Sequence, residues 1–165
     1  MAFSLARVAP MLLVYALAAL AGCGQGGPSQ GAPQTAAPSD STSRDFGDFQ
    51  LQYNAVRTDV LTPEVARAYG IERSANRVLL NVALLRRNAD GTTTPADGVV
   101  TATAYNLNGQ LKELAMRRVT EGSSVYFIGE VGVSGTEILV FDISVVPAGQ
   151  NVKHSVQFKR EFFTG

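Results

Sequence analysis

Seven short segments between Phe49 and Phe163 carry the residue patterns of β-strands. The first of them, FQLQYNAV, alternates apolar and polar side chains, as a half-buried strand does. Asn-Gly, Asp-Gly and Pro-Ala-Gly sequences between the segments are typical of tight turns. The series therefore predicts an all-β fold, a single immunoglobulin-like β-sandwich of about seven strands. The predicted strands are Phe49–Val56, Arg77–Arg87, Gly98–Leu107, Gln110–Val119, Ser123–Val133, Thr136–Val146 and Lys153–Phe163.

The second segment, RVLLNVALLRR, is apolar on both of its faces. Its even-numbered positions carry valine and leucine, and its odd-numbered positions include Leu79, Ala83 and Leu85. A strand with this composition is covered on both sides, which favours a central position in a sheet. A short buried helix is the alternative, because periodicity alone does not separate the two.

One segment, LTPEVARAYGIERSANR, departs from the strand pattern. Thr62 is a suitable N-cap, and Pro63 suits the first helical position because its missing N–H costs nothing there. Gly70 favours termination of the helix. We therefore expect one short crossover helix over Pro63–Tyr69, between the first two strands. Its predicted apolar face consists of Val65, Ala66 and Tyr69.

The chain begins with a short apolar segment that ends near its only cysteine. Arg7 supplies one positive charge, and the residues from Met11 to Leu20 carry none. Small residues, Ala21 and Gly22, then precede Cys23. The apolar run is too short to span a membrane, which needs about 20 apolar residues. A charge, a short apolar core and small residues are the parts of a secretory signal peptide.

The segment around Cys23 resembles the lipobox of bacterial lipoproteins. The resemblance implies that residues 1–22 are a lipoprotein signal peptide, that the Cys23 thiol receives a diacylglycerol, and that the new amino terminus is acylated, with fatty-acid chains such as palmitate. In this class an aspartate directly after the cysteine favours the inner membrane, and Gly24 stands at that position here. An outer-membrane anchor with the domain facing the periplasm is therefore implied. The alternative is an ordinary signal peptide cut near Ala21.

Residues 23–44 are the second predicted part of the chain, an acylated cysteine followed by a disordered tether. From Gly24 to Ser43 there is no aromatic or large aliphatic side chain, so this stretch cannot bury enough apolar area to fold. Residues 45–165 then form the β-sandwich domain. Removal of the signal peptide leaves 13 basic residues against 14 acidic ones. This balance argues against nucleic acid as a partner.

Several segments of the domain resemble one known family. They are Tyr53–Leu84, NLNGQL (Asn106–Leu111), VYFIGEV (Val125–Val131) and FKREFF (Phe158–Phe163). In this order they are similar to domain-of-unknown-function family 4426, small exported and uncharacterised proteins of Gram-negative bacteria. The resemblance implies a compact exported β domain, and it supplies no catalytic residues.

Residues that could carry chemistry are few. His154 is the only histidine, so it is the only imidazole base available and no His-pair zinc site can form. Ser134, in GVSG, lacks the spacing of a nucleophile elbow. Glu130, Glu137 and Asp142 lie on or beside neighbouring predicted strands, where exposed cross-strand charges are commoner than an acid–base pair. We therefore predict no cofactor, no metal and no enzymatic activity.

The helical segment offers the best candidates for binding, because loops on a rigid sandwich usually carry binding residues. Its planar donors and aromatic ring would lie near one end of the sandwich, and Arg and Tyr favour carboxylates, sugars or partner proteins. In the alternative, Arg73 and Arg77 only tie the segment to Asp59 or Glu64. The candidate binding residues are Arg67, Tyr69, Arg73, Asn76 and Arg77.

Together these features predict a lipid-anchored envelope protein that binds, spaces or assists the assembly of other envelope components without catalysis. Its partners would be the membrane, through Cys23, and an envelope protein or glycan. The alternative function is a periplasmic hydrolase or lyase that acts on glycans or peptides through carboxylates. A deep pocket with two converging carboxylates would favour that alternative.

Overall fold

The structure is a computed structural model that describes residues 42–165. The predicted signal peptide, the predicted lipidation site Cys23 and the predicted tether up to residue 41 lie outside the described residues. The described chain forms ten strands, one α-helix and one 3-10 turn. The strands are β1 (Thr42–Phe46), β2 (Phe49–Arg57), β3 (Arg77–Arg87), β4 (Thr93–Pro95), β5 (Gly98–Asn106), β6 (Leu111–Lys112), β7 (Arg117–Glu121), β8 (Ser124–Gly132), β9 (Thr136–Pro147) and β10 (His154–Phe163); the helix is α1 (Pro63–Tyr69), and the turn is Thr58–Val60.

The strands form two antiparallel sheets that pack face to face around one core. The first sheet has the order β1-β2-β3-β8-β7, and β4 pairs with the end of β3. The second sheet has the order β10-β9-β5-β6. The predicted immunoglobulin-like β-sandwich is confirmed, with ten strands in place of about seven.

Three differences account for the larger number of strands. β1 is polar and mostly exposed, so its sequence shows no alternation of apolar and polar residues. Its residues 42–44 belong to the segment that the sequence predicts to be the tether. β4 is an exposed edge piece of three residues. The predicted strand Gln110–Val119 is two strands, because its middle residues carry the chain from β6 in the second sheet to β7 in the first.

β3 occupies the centre of the first sheet, between β2 and β8. Its residues Val78, Leu80, Val82 and Leu84 are fully buried between the sheets. Leu79 is buried on the opposite face, in a smaller cluster with Ala66, Ile71 and Ile128. The predicted central position of this strand is confirmed. The segment that contains α1 covers its outer face.

Helix α1 has the predicted bounds, and local signals explain both of its ends. The Thr62 hydroxyl accepts from the Val65 N–H at 3.3 Å, and Pro63 follows it. Gly70 has a φ of 63°, a left-handed conformation that ends the helix and that glycine adopts without steric cost. Within residues 42–165 no helix has the length and hydropathy needed to cross a membrane.

Candidate functional site

The segment between β2 and β3, residues 58–76, lies over the outer face of the first sheet, and we call it the strap. The two chain ends of the strap are joined by Thr58, which is fully buried. Its hydroxyl donates to the Ser74 carbonyl at 3.1 Å and accepts from the Ser74 N–H at 2.9 Å. The Arg73 guanidinium adds a bond to the Asp59 carbonyl at 2.7 Å. These bonds close the strap into a loop at the end of β2.

The interior of the strap is fixed to β7 where α1 ends. The Tyr69 hydroxyl donates to Glu121 Oε2 at 2.5 Å, and the Arg117 guanidinium donates to the Tyr69 carbonyl. The hydrogen bond to Glu121, then burial, and then the negative charge of Glu121 raise the pKa of Tyr69 to about 12. The Tyr69 hydroxyl therefore remains protonated throughout the physiological pH range and donates its hydrogen bond to the Glu121 carboxylate.

A cleft of about 150 Å³ lies between the strap and the sheet. Ala66 and Ile71 are buried against Leu79 and Ile128, and they do not fill the space beside them. Most of the lining is aliphatic or aromatic. The lining residues are Asn54, Val56, Leu61, Val65, Tyr69, Leu79, Asn81, Val119, Tyr126 and Ile128.

Two amide side chains interrupt this apolar lining. Asn54 and Asn81 face each other in the register of β2 and β3. Asn54 Oδ1 accepts from the Arg160 guanidinium at 2.6 Å, whereas Asn81 Oδ1 is buried and has no hydrogen-bond partner among the described residues. An unpaired buried acceptor costs about 1–3 kcal/mol. The cleft is thus an apolar space with one unused polar group in its wall.

Of the five predicted binding residues, only Tyr69 lines the cleft. The Arg67 guanidinium lies 3.5 Å from the Glu64 carboxylate, and Asn76 accepts the Val133 N–H through its main-chain carbonyl at 2.9 Å. Arg77 lies 3.5 Å from Glu130 and 3.9 Å from Glu72. Arg73 bonds the Asp59 carbonyl, so it does tie the strap. A recognition role for these five residues stays a prediction.

The sequence did not place the strand residues of the cleft wall, three of which come from β7 and β8, far along the chain. These three are Val119, Tyr126 and Ile128. Leu79 did carry a signal. It is an odd-numbered apolar residue on a strand whose even-numbered face already fills the core, and the outer face therefore needs a cover.

The three carboxylates considered as an acid–base group have separate partners. Glu130 lies beside Arg77, and Asp142 accepts from the Gln157 amide at 2.8 Å. Glu137 is paired with Lys112. Within residues 42–165 no group of three or more His, Cys, Asp or Glu side chains is placed to hold a metal ion. His154 stacks on the Phe46 ring, with 4.7 Å between the ring centroids.

Burial alone would raise the pKa of Glu137, but its hydrogen bonds reverse the direction. Its carboxylate accepts from Lys112 Nζ at 2.8 Å, from the Asn106 amide at 3.0 Å and from the Ser134 N–H at 3.3 Å. These bonds and the Lys112 charge lower the pKa of Glu137 below its ordinary value. A general acid must instead hold its proton near neutral pH, so Glu137 is not suited to that role.

The fold and the strap define a small antiparallel β-sandwich of the immunoglobulin-like class. The family model described as Domain of unknown function (DUF4426) matches residues 43–165, and the chain belongs to that family. The family resemblance in the sequence is thereby confirmed.

Solved structures agree with this assignment. A crystal structure of a DUF4426 family protein from Pseudomonas aeruginosa is 31% identical to this chain, with a TM-score of 0.64, and the match covers 74% of this chain and 94% of that one. Two structures of FetP from uropathogenic Escherichia coli, one of them a copper-bound variant, are 11% and 12% identical. Their TM-scores are 0.51 and 0.52, and the matches cover 73% and 74% of this chain and 93% of each FetP chain. This likeness concerns the fold. No curated protein matches the sequence.

Proposed function

We propose that this protein is a lipid-anchored, non-enzymatic binding module of the periplasm, and that the cleft beneath the strap receives one uncharged apolar group. The observation that carries the proposal is the cleft itself, an apolar space of about 150 Å³ that the strap covers without filling. An apolar protein cavity of about this volume accepts a benzene-sized molecule. The bound group would be an aromatic or branched aliphatic group, either of a small ligand or of a partner's side chain.

The anchor and the compartment are supported by the sequence and by the fold. The lipobox-like segment ends at Cys23, the one thiol available for acylation, and Gly24 follows it. One FetP structure of the same fold comes from protein recombinantly expressed in the periplasm of Escherichia coli. Two or three acyl chains would hold the protein durably at a membrane, each buried methylene contributing about 0.8 kcal/mol. Gly24 favours the outer membrane.

Metal carriage and hydrolysis have less support. The copper-bound FetP structure is of a protein only 11% identical to this one. Within residues 42–165 the one histidine is stacked on Phe46, and no three His, Cys, Asp or Glu side chains are grouped to hold a metal ion. A carboxylate hydrolase would need a protonated acid, and the pKa of Glu137 is lowered.

A titration with phenol, followed by ¹H–¹⁵N NMR, tests the cleft. Phenol is uncharged at neutral pH, has a benzene-sized ring and can donate its O–H to the Asn81 amide. We expect saturable shifts at residues of the strap, β7 and β8. In Val119→Phe, where the new ring occupies the cleft, these shifts should be lost. Val99→Phe is the matched control, because Val99 is 66% exposed and lies outside the cleft.

Equal responses from the two folded variants would contradict the proposal, because filling the cleft would then make no difference. The anchor is tested separately by mass spectrometry of the mature chain. We expect an acylated Cys23 in the wild type and an unacylated precursor in Cys23→Ser. An unmodified Cys23 in the mature wild type would contradict the anchor and leave the cleft proposal standing.

A further inference from the structure

A second pocket, of about 480 Å³, lies in another part of the domain and shares no lining residue with the cleft. Its volume is within the range of small-molecule sites. Loops β5–β6 and β8–β9 and the strands beside them form its wall, and polar side chains dominate the wall. The lining residues are Asn106, Leu107, Asn108, Gln110, Lys112, Ser134, Thr136, Glu137, Ile138 and Glu161.

Two mostly buried lining residues of this pocket carry opposite charges and are paired with each other. Lys112 and Glu137 form an ion pair at 2.8 Å, with only 17% and 11% of their side chains exposed. Lys112 Nζ also donates to the Gly132 carbonyl at 2.9 Å. An ammonium has three N–H donors, so one remains after these two bonds. Asn106 fixes the loop, because its Oδ1 accepts from the Asn108 and Gln110 N–H groups at 3.1 and 3.0 Å.

The rim offers donors and acceptors that the described residues do not use. Gln110 accepts through Oε1 from Asn106, which leaves its Nε2 donors free within the described part of the chain. The Asn108 amide and the hydroxyls of Ser134 and Thr136 can each donate and accept. Glu161 adds an exposed carboxylate, which accepts.

An exposed leucine adds apolar surface to the pocket. Leu107 is 68% exposed at the β5–β6 hairpin, so a ligand that covers it would gain hydrophobic free energy. It lines the pocket together with Ile138. The pocket therefore combines a small apolar surface with a mixed set of donors and acceptors.

From this arrangement we infer that the pocket binds a neutral, hydroxyl-rich ligand of saccharide chemistry. A hydroxyl group both donates and accepts, so it matches a rim that offers both kinds of group. The C–H face of a sugar ring would cover Leu107. An anionic ligand would meet the Glu161 carboxylate, and the only cation in the wall, Lys112, is already paired with Glu137.

Titrations with glucose and N-acetylglucosamine, followed by ¹H–¹⁵N NMR, test this inference on the mature domain. At least one of the two sugars should give saturable shifts at residues 106–112 and 134–137, with an affinity in the range of about 1 mM. The double variant Asn108→Ala, Gln110→Ala should weaken that binding at least about tenfold, because polar groups that match hydroxyls would be lost.

Both residues are exposed, so the fold should tolerate the change. Thr101→Ala with Ser155→Ala is the control, an exposed polar pair outside this pocket, and should bind as the wild type does.

Three results would overturn the inference. One is the absence of saturable shifts with either sugar up to about 100 mM, a limit well above millimolar affinity. Another is a set of shifts that maps outside residues 106–112 and 134–137. The third is tighter binding of glucose 6-phosphate than of glucose, which would assign the pocket to anions.

Discussion

The Tyr69 hydroxyl donates to the Glu121 carboxylate at 2.5 Å and so joins the end of α1 to β7 across 52 residues of sequence. This bond holds one wall of the cleft against the other, because Tyr69 lines the cleft and Glu121 ends the strand that contributes Val119. Removal of the hydroxyl in Tyr69→Phe should lower the free energy of unfolding by about 1.5–3 kcal/mol, the usual range for a bond to a charged group. Chemical denaturation at pH 8 measures this loss. A variant as stable as the wild type would show that the bond does not hold the strap.

The same bond predicts a pH dependence at the alkaline end. The pKa of Tyr69 is raised from 10.0 to about 12, so the folded protein holds this proton more tightly than the unfolded chain does. The stabilisation is fully present below pH 10 and is lost as the pH rises towards 12. The stability difference between the wild type and Tyr69→Phe should therefore shrink over that interval. A difference that stays constant from pH 9 to pH 12 would contradict the assignment of the shift to Tyr69.

Substitution of Arg73 tests whether this residue stabilises the strap or recognises a ligand. Its guanidinium donates to the Asp59 carbonyl, so Arg73→Ala should cost about 0.5–1.5 kcal/mol of stability. Binding of phenol in the cleft should be unchanged, because Arg73 does not line it. Arg67→Ala is the control, since its side chain is 77% exposed. Loss of phenol binding in a folded Arg73→Ala protein would instead restore Arg73 as a recognition residue.

Gly98 is required where β5 passes β9. A Cβ atom at this position would lie 2.6 Å from the Val146 carbonyl oxygen and 3.2 Å from the Pro147 Cα, so the backbone would have to move. Gly98→Ala should lower the free energy of unfolding by about 1–3 kcal/mol. Gly132→Ala is a matched control, because it has open space around the added Cβ and neither glycine has a positive φ. Equal stability of the two variants would show that the contact at Gly98 relaxes without cost.

The ion pair of Lys112 and Glu137 should make the domain sensitive to acid. Lys112→Met should lower the free energy of unfolding at pH 7 by about 1–3 kcal/mol, because the mostly buried Glu137 carboxylate loses its charged donor. The pKa of Glu137 is lowered from its ordinary value of 4.5, so the stabilisation is present above that value and is lost as the pH falls below it. The stability difference between variant and wild type should therefore diminish towards pH 3.

Lys159→Met, at an exposed lysine, is the control and should change the free energy of unfolding little at either pH. A difference that does not change with pH would exclude Glu137 as the coupled group.

The sequence predicts those parts of the fold that short stretches of chain determine. Thr62, Pro63 and Gly70 carry the two ends of α1 within nine residues, so its bounds are confirmed. The break between β6 and β7 has no such local signal. It depends on Leu114 and Met116, whose side chains pack against Gly129. A Cβ atom at Gly129 would lie 3.2 Å from Leu114 and 2.8 Å from Met116. Because Gly129 belongs to β8, the crossing of the chain between the sheets is a tertiary effect and does not show in the period of the residues.

The candidate site likewise contains residues that the sequence predicts and residues that only the tertiary structure brings together. Tyr69 is predicted because it lies on the segment that breaks the strand pattern. Val119 and Tyr126 are not, because they approach Tyr69 only through the pairing of β7 with β8 and the bond to Glu121. Asn81 is not predicted either, since a polar residue in an apolar strand gives no sign of whether its amide is paired.

Intermolecular NOEs between the ring protons of bound phenol and the methyl groups of the domain test the central claim, a binding cleft beneath the strap, most directly. The account predicts NOEs to the methyls of Leu79, Val119 and Ile128, which line the cleft from three different strands. NOEs confined to exposed apolar residues such as Val60, Leu111 or Phe163, or an absence of NOEs at saturating phenol, would contradict it.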